Sequence, residues 1–407
     1  MLLYWIWFAQ LKNLSLWQKQ KLLEAFSDPE EIFCTVPEAF AGIAGMDAAA
    51  LAAMEDKDLE ESRKILQLCR QKEIGILTCK DQAYPVRLKN IEDAPVVLYY
   101  KGILPDWDAL PIIGVVGTRK ASAYGMHTAF TMSAQIAACG GLVITGGADG
   151  IDTAALEGTL AAGKQAVAVF GGGVDVIYPK KNERLFDRVA QNGCLLSEYP
   201  PQEKTLGWHF PVRNRIISGI SNGVLVVEAP ERSGALNTAE HAFRQGRDVF
   251  TVPGNLGVDS CVGSNQLLLE GAFPIRNGWD AVKHYAFLYP GKVENRPAPL
   301  LEKIHSAPQK VAQKEANLGN SPEKSEKAPK KSIDNRNDST YSVLNKRQAS
   351  LSQEETAILQ LLGDEPQFPD GVMAQSDLPA GTVQSILTRL TLKGFVKTYP
   401  GGRISRK

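Results

Sequence analysis

Five short stretches of this chain collect residue types that can hold an anion. In "VVGTRKASAYG" an apolar run ends in Gly117 and Thr118, then offers Arg119 and Lys120 just before a helix-like segment that starts near Ser122. Free backbone amides, a helix N-terminus and a guanidinium together make an anion seat. "TGGADGIDTAA" places Gly146 and Gly147 where backbone can approach a partner closely, with Asp152 and Thr153 available to cap a helix. "FGGGVDVIYPKKN" repeats the pattern with Gly172 and Gly173, followed by Lys180, Lys181 and Asn182. "HFPVRNRIIS" supplies Arg213, Asn214 and Arg215, and "ERSGALN" a helix start at Ser233 and Gly234. Read as an extended segment after Pro211, the two arginines share a side and face one ligand. Solvated basic residues and ordinary glycine turns are the plainer reading of each stretch taken singly.

Several separated seats suit a sugar–phosphate backbone better than one nucleotide. Tyr124, Tyr178 and Phe210, with Trp208 beside them, could stack unpaired bases, which points to a single strand. No catalytic set accompanies the seats. His127, His209 and His241 lack an evident nucleophile, and Asp149, Asp152, Asp175 and Glu198 stand at cap and turn positions. No catalytic residue, metal or cofactor is therefore expected. "GTLAAGKQ" imitates a nucleotide-binding loop, but Gln165 replaces the hydroxyl that would hold magnesium, and the segment precedes an apolar run instead of following one.

The elements that must position these residues are legible from periodicity. "PIIGVVG", "GLVITG", "QAVAVFG", "CLLSEY", "GVLVVEAP" and "RDVFTVPG" are near-continuous apolar runs separated by helical segments. That is the pattern of parallel strands covered on both faces. The fold class expected is α/β, an extended Rossmann-like doubly wound, mostly parallel sheet. The glycine and basic residues follow the strands, so they gather at the carboxyl edge where such sheets bind ligands.

Around this core, residues 1–75 read as a small helical domain, in which "AGIAGM" is either a helix-hairpin-helix turn (SAM-like) or a plain helix–helix turn. Residues 76–290 hold the sheet. Residues 291–350, rich in lysine, proline and serine with few large apolar residues, read as a disordered linker. Residues 351–407 give three helical periods and a hairpin around "PGG", a winged helix.

Across 407 residues, Lys plus Arg and Asp plus Glu both total 45, so any polyanion site must be a local patch. The six cysteines form no CxxC pair, which argues against a zinc site or disulfide framework and fits a reducing, cytoplasmic setting. The apolar start "MLLYWIWFAQ" is too short to span a membrane, and no membrane partner is expected.

From about residue 75 to 280 the chain resembles the bacterial DNA-processing protein A family (DprA/Smf). The resemblance is carried by "YPVRLKNIEDAPVVLYYKG", "VVGTRKASAYG", "GADGIDTAALEGTL", "GGGVDVIYPKKN", "LLSEYPP", "HFPVRNRIISGIS", "GVLVVEAPERSGALNTAEHAFRQGRDVFTVPG" and "SNQLLLEGA", in the family's order. It implies a domain that binds single-stranded DNA, forms homodimers and helps load a RecA-type recombinase during natural transformation. It assigns phosphate contacts to Gly117, Thr118 and Arg119, to Lys180 and Asn182, and to Arg213 and Arg215. Gly147 and Asp149 depart from the family pattern, as do Ser264 and Asn265 in a helix that usually serves the dimer. The competing reading is a Rossmann-fold nucleotide phosphoribohydrolase, since "SGALNTAE" with Glu240 partly echoes its motif, without the paired glycines. A winged-helix regulator with a Rossmann sensor domain is a third.

Overall fold

The computed structural model describes residues 1–296 and most positions between 352 and 406. They fall into two compact units. The first begins with helices α1 (Leu2–Gln10), α2 (Leu16–Ala25), α3 (Pro29–Cys34), α4 (Ala48–Ala53) and α5 (Glu60–Gln71). Local chemistry sets their starts. Ser15 and Gln18 form a reciprocal capping box on α2, and Asp28 accepts from the amides of Glu30 and Glu31 with Pro29 in the first helical position. The "AGIAGM" turn is closed by its own neighbours: Gly45 takes φ +81°, and its carbonyl accepts from Gln18 Nε2 at 2.7 Å.

Then follow β1 (Gly75–Thr78), α6 (Val86–Lys89), β2 (Val97–Gly102), β3 (Ile112–Val116), α7 (Ala123–Ala138), β4 (Leu142–Thr145), α8 (Ile151–Ala161), β5 (Ala166–Phe170), α9 (Glu183–Asn192) and β6 (Cys194–Ser197). The unit continues with α10 (His209–Ile220), β7 (Gly223–Val226), α11 (Gly234–Arg244), β8 (Asp248–Thr251), α12 (Val262–Leu269), β9 (Phe273–Pro274) and α13 (Gly278–Val282). The strands form one sheet in the order β1-β2-β6-β5-β4-β3-β7-β8-β9. From β6 to β9 every neighbour is parallel, whereas β2 joins β6, and β1 joins β2, antiparallel. The six apolar runs are β3 to β8; β1, β2 and the two-residue β9 extend the sheet beyond them.

Alternate residues of the central strands feed two cores. Ile112, Val116, Val224 and Val226 pack with Ile216, Ile217, Ala235 and Ala239 under α10 and α11. Ile113, Val115, Leu225 and Val227 pack with Ala129, Met132, Ile151 and Ala154 under α7 and α8. A third core joins Ile6, Phe8, Leu22 and Phe40 of the helical region to Tyr99, Phe170 and Phe186 of the sheet region. The chain runs outward from β3 to β4, β5 and β6, then returns to lay β7 on the other side of β3. That reversal opens a crevice beyond the carboxyl ends of β3 and β7.

Residues 291–296, the first of the expected linker, are described and mostly exposed, but Val293 packs against the core under α7 and α8 and Glu294 N donates to Cys139 O at 3.1 Å. The remainder of the linker, 297–350, lies outside the described residues. In the second unit a helix over Gln353–Leu361 starts with a Ser352–Glu355 capping box. Val383, Ile386, Leu387 and Leu390 share a buried core with Ile358, Val372 and Val396, and Val396–Thr398 pairs antiparallel with Ile404–Arg406. Helices and hairpin match the expected winged helix.

Candidate nucleic-acid interface

The crevice at the sheet's reversal is a cleft of about 680 Å³, lined by Gly117, Thr118, Arg119, Lys120, Tyr178, Phe210, Arg213, Asn214, Ser233 and Gly234 among others. Its first wall is the loop from β3 to α7. Thr118 N donates to Glu228 O at 2.7 Å, and Thr118 Oγ1 accepts from Lys120 N at 3.2 Å. Ser122 caps α7 by accepting from Gly125 N at 3.0 Å, and its own N and Oγ donate to Glu228 Oε2 at 3.1 and 3.0 Å. Glu228, buried at the end of β7, thus clamps the loop that carries Arg119 and Lys120. Gly117 is small because a Cβ there would strike Ile151.

The second wall is the start of α11, capped by Ser233, which accepts from Ala235 N at 3.3 Å. A Cβ on Gly234 would meet nothing within 4 Å, so the helix end faces open space and its dipole points positive into the cleft. Arg119 lies over the Phe210 ring at 4.5 Å from its centroid, and Arg213 at 5.9 Å. Tyr178 tilts against Phe210 at 5.7 Å. Arg232, which the sequence reading passed over, completes the set: Arg119, Lys120, Arg213 and Arg232 face one lining carboxylate, Asp152. Among the described residues Arg119, Lys120 and Arg232 have no carboxylate within ion-pair distance. The cleft is cationic and carries two aromatic side chains, Tyr178 and Phe210, an arrangement that can hold an anion beside a flat ring.

Arg213 and Arg215 sit on α10, not on an extended segment, and this separates them. Residues two apart on a helix point to nearly opposite sides. Arg213 reaches the cleft, where Nη1 donates to Gly146 O at 2.7 Å and to Val169 O. It ties the ends of β4 and β5 together. Burial lowers its pKa to about 10, against the pull of nearby Asp152, and the same burial raises that of Asp152. Arg215 points away from the cleft into a carboxylate pair, with Nη2 on Glu198 at 2.8 and 2.9 Å and Nε on Asp93 at 3.1 Å. Burial opposes its charge, but these carboxylates hold its pKa above the ordinary value. Arg215 is a buried ion-pair residue, and the structure corrects its expected place beside the ligand.

Other expected residues are also placed elsewhere. Gly172 and Gly173 are buried under the 200–205 loop, with Thr205 and Glu203 O against the first and Pro200 O against the second. They admit protein, not ligand. Gly147, at φ +68°, is packed beside Phe186 and Phe170. Gly146 lies behind the cleft lining, packed against Arg213 and Asp152. Asn182 spends its amide on Thr153 Oγ1 at 2.7 Å, and Lys180 is exposed beyond the cleft lining. Tyr124 is exposed on the far side of α7, in a separate groove. His209 is buried, its Nδ1 2.8 Å from Gly171 O and its ring stacked on Tyr199.

A family model described as DNA recombination-mediator protein A matches residues 75–286, and one described as DprA winged helix domain matches residues 345–402. The chain belongs to the DNA recombination-mediator protein A family. The DNA processing protein DprA of Bacillus subtilis is 39% identical over 234 residues, 58% of this chain and 78% of that protein. Protein Smf of Synechocystis is 30% identical over 415 residues, 99% of this chain and 98% of its own. The X-ray structure of DNA processing protein A from Streptococcus pneumoniae superposes with a TM-score of 0.62 at 35% identity, covering 70% of this chain and 98% of that one. The family supports the Rossmann-like sheet and the winged helix, and it places the molecule in DNA processing.

Proposed function

We propose that the crevice binds the backbone of single-stranded DNA, and that the protein acts by binding rather than catalysis, shielding the strand and presenting it to a RecA-type recombinase. The observation that carries this reading is the Arg119–Phe210 stack: an exposed guanidinium on an aromatic face, beside Lys120, Arg232 and the N-terminus of α11. Phosphates take the cations, and unpaired bases can lie on Phe210 and Tyr178. A duplex would hide its base faces and gain only the first contact.

A homodimer is proposed with it. Edge strand β9 and its surroundings expose Leu269, Phe273 and, beyond β8, Leu256, apolar positions that a second copy could cover. No described helix is long and apolar enough to cross a membrane.

The test is a titration of the full chain with labelled oligo-dT and with duplex DNA across a salt series. Tighter single-strand binding that weakens steeply with salt is expected. Equal or tighter duplex binding would sink the proposal. Release of free base from nucleoside monophosphates would replace it with the phosphoribohydrolase reading.

A further inference from the structure

A second groove, about 470 Å³, runs along the side of α7 away from the crevice. Tyr124, Thr128, Thr131 and Gln135 form its helical wall at spacings that keep them on one face, over about 16 Å of helix. The facing wall is Val252 and Pro253, which continue β8, and Ile275 to Asn277, which continue β9. The facing wall and the Tyr124 end of the helical wall therefore lie at the same carboxyl edge as the crevice. The groove's open end is Tyr124, in the first turn of α7, four residues after Lys120.

Its polar groups are aimed by the fold. Gln135 Oε1 accepts from Gly278 N at 2.9 Å, and Asn277 Oδ1 accepts from Asp280 N at 3.0 Å. A backbone N–H can only face the amide oxygen, so both NH₂ groups are turned the other way, and among the described residues neither has a protein acceptor. Arg276 is held through N and Nε by Asp280 Oδ2 at 3.1 and 3.3 Å, which leaves its two terminal nitrogens without a carboxylate. Two oriented NH₂ donors, an exposed tyrosine ring, an apolar floor of Val252 and Ile275 and a cation at the rim match a nucleotide: carbonyl edge, flat face, phosphate.

We propose that this groove is a second nucleotide subsite, in which the DNA strand held by the crevice continues past Lys120, stacks a base on Tyr124 and offers base carbonyls to Gln135 and Asn277. The inference rests on the single-strand reading of the crevice. It assigns Tyr124, which the crevice does not use, a ligand of its own. The occupant follows from continuity, because a strand leaving Arg119 and Lys120 along α7 meets Tyr124 first.

The test compares the affinity of the full chain for oligo-dT of about 6 and about 20 nucleotides, lengths that bracket a single-strand site. The parent should gain affinity with length. Asn277→Ser keeps a capping oxygen for α13, adds no charge and removes the NH₂, and should lower long-oligonucleotide affinity about two- to tenfold. Tyr124→Ala should lower it about fivefold or more. Both should leave the short oligonucleotide unchanged, as their melting temperatures should be. Arg119→Ala should weaken both lengths. If the parent gains nothing with length, or if Asn277→Ser and Tyr124→Ala keep the parent's gain, the groove does not hold the strand. If Arg119→Ala binds both lengths like the parent, the crevice reading itself fails.

Discussion

Arg213 and Arg215 are separated by one residue and by most of the width of a helix. Arg213 lends its charge to the cleft while bonding Gly146 O and Val169 O; Arg215 neutralises Glu198 and Asp93. Arg119, one turn of chain beyond β3, is exposed and unpaired by any described carboxylate. Arg119→Ala should therefore weaken single-strand binding on any sequence and flatten the log affinity against log salt slope by about 0.7 on oligo-dT. Arg215→Ala should leave that slope unchanged and destabilise the fold by about 1–3 kcal/mol, because Glu198 and the half-exposed Asp93 lose their partner and a buried side chain is removed. Salt-varied titration and urea melts of the two variants check both statements. A flattened slope in Arg215→Ala with parental stability would contradict this division.

At the scale of elements, α7 is fixed to β7 by one carboxylate. Glu228 Oε2 receives Ser122 N and Oγ, and a Cβ on Gly125 would collide with that same oxygen. Gly125→Ala should push Glu228 off Ser122, cost about 1–3 kcal/mol by overpacking, and weaken DNA binding through the displaced Arg119 loop. Thermal melts and titration would show it; an unperturbed affinity would mean that the loop holds without the clamp. Between α1 and α2, the buried Lys19 amine donates to Ala9 O at 2.7 Å, and burial lowers its pKa from 10.5 to about 8, partly countered by Glu198. Below pH 8 both folded and unfolded states carry this proton, so the cost of burying the charge is fully present. Between 8 and 10.5 the unfolded state binds more protons, so this residue's contribution to stability rises with pH. Lys19→Met should remove that rise. Its stability relative to the parent should be more favourable at pH 7 than at pH 10 in urea melts.

In the whole molecule, the helical region and the sheet region share a core. Ile6, Phe8, Leu22 and Phe40 cover Val96, Tyr99 and Phe170, and Lys72 Nζ meets Asp175 Oδ2 at 2.5 Å. A fragment starting at residue 75 keeps every strand of the large sheet but uncovers that surface. It should unfold at a lower temperature than the full chain and aggregate more readily, while retaining the crevice residues. Differential scanning calorimetry of the two forms decides it, and an equal melting temperature would show the regions to be independently stable.

The amino-acid order alone specifies β3 to β8, because doubly buried parallel strands need near-continuous apolar runs, and it specifies that glycine and basic residues follow them. It also specifies Arg119 and Lys120 at a helix start, and the core face of Val383, Ile386, Leu387 and Leu390, since these depend on spacing within one element. β1 and β2 were not legible, for their place depends on pairing with β6 and on cover from the N-terminal helices. Whether a glycine admits ligand or protein was equally hidden. Gly172 and Gly234 look alike in sequence, yet one is covered by Thr205 and Glu203 and the other faces open space. The tertiary structure also decided which of two neighbouring arginines reaches the cleft, because helical rotation and the carboxylates of distant segments, Asp93 and Glu198, set the direction of each side chain.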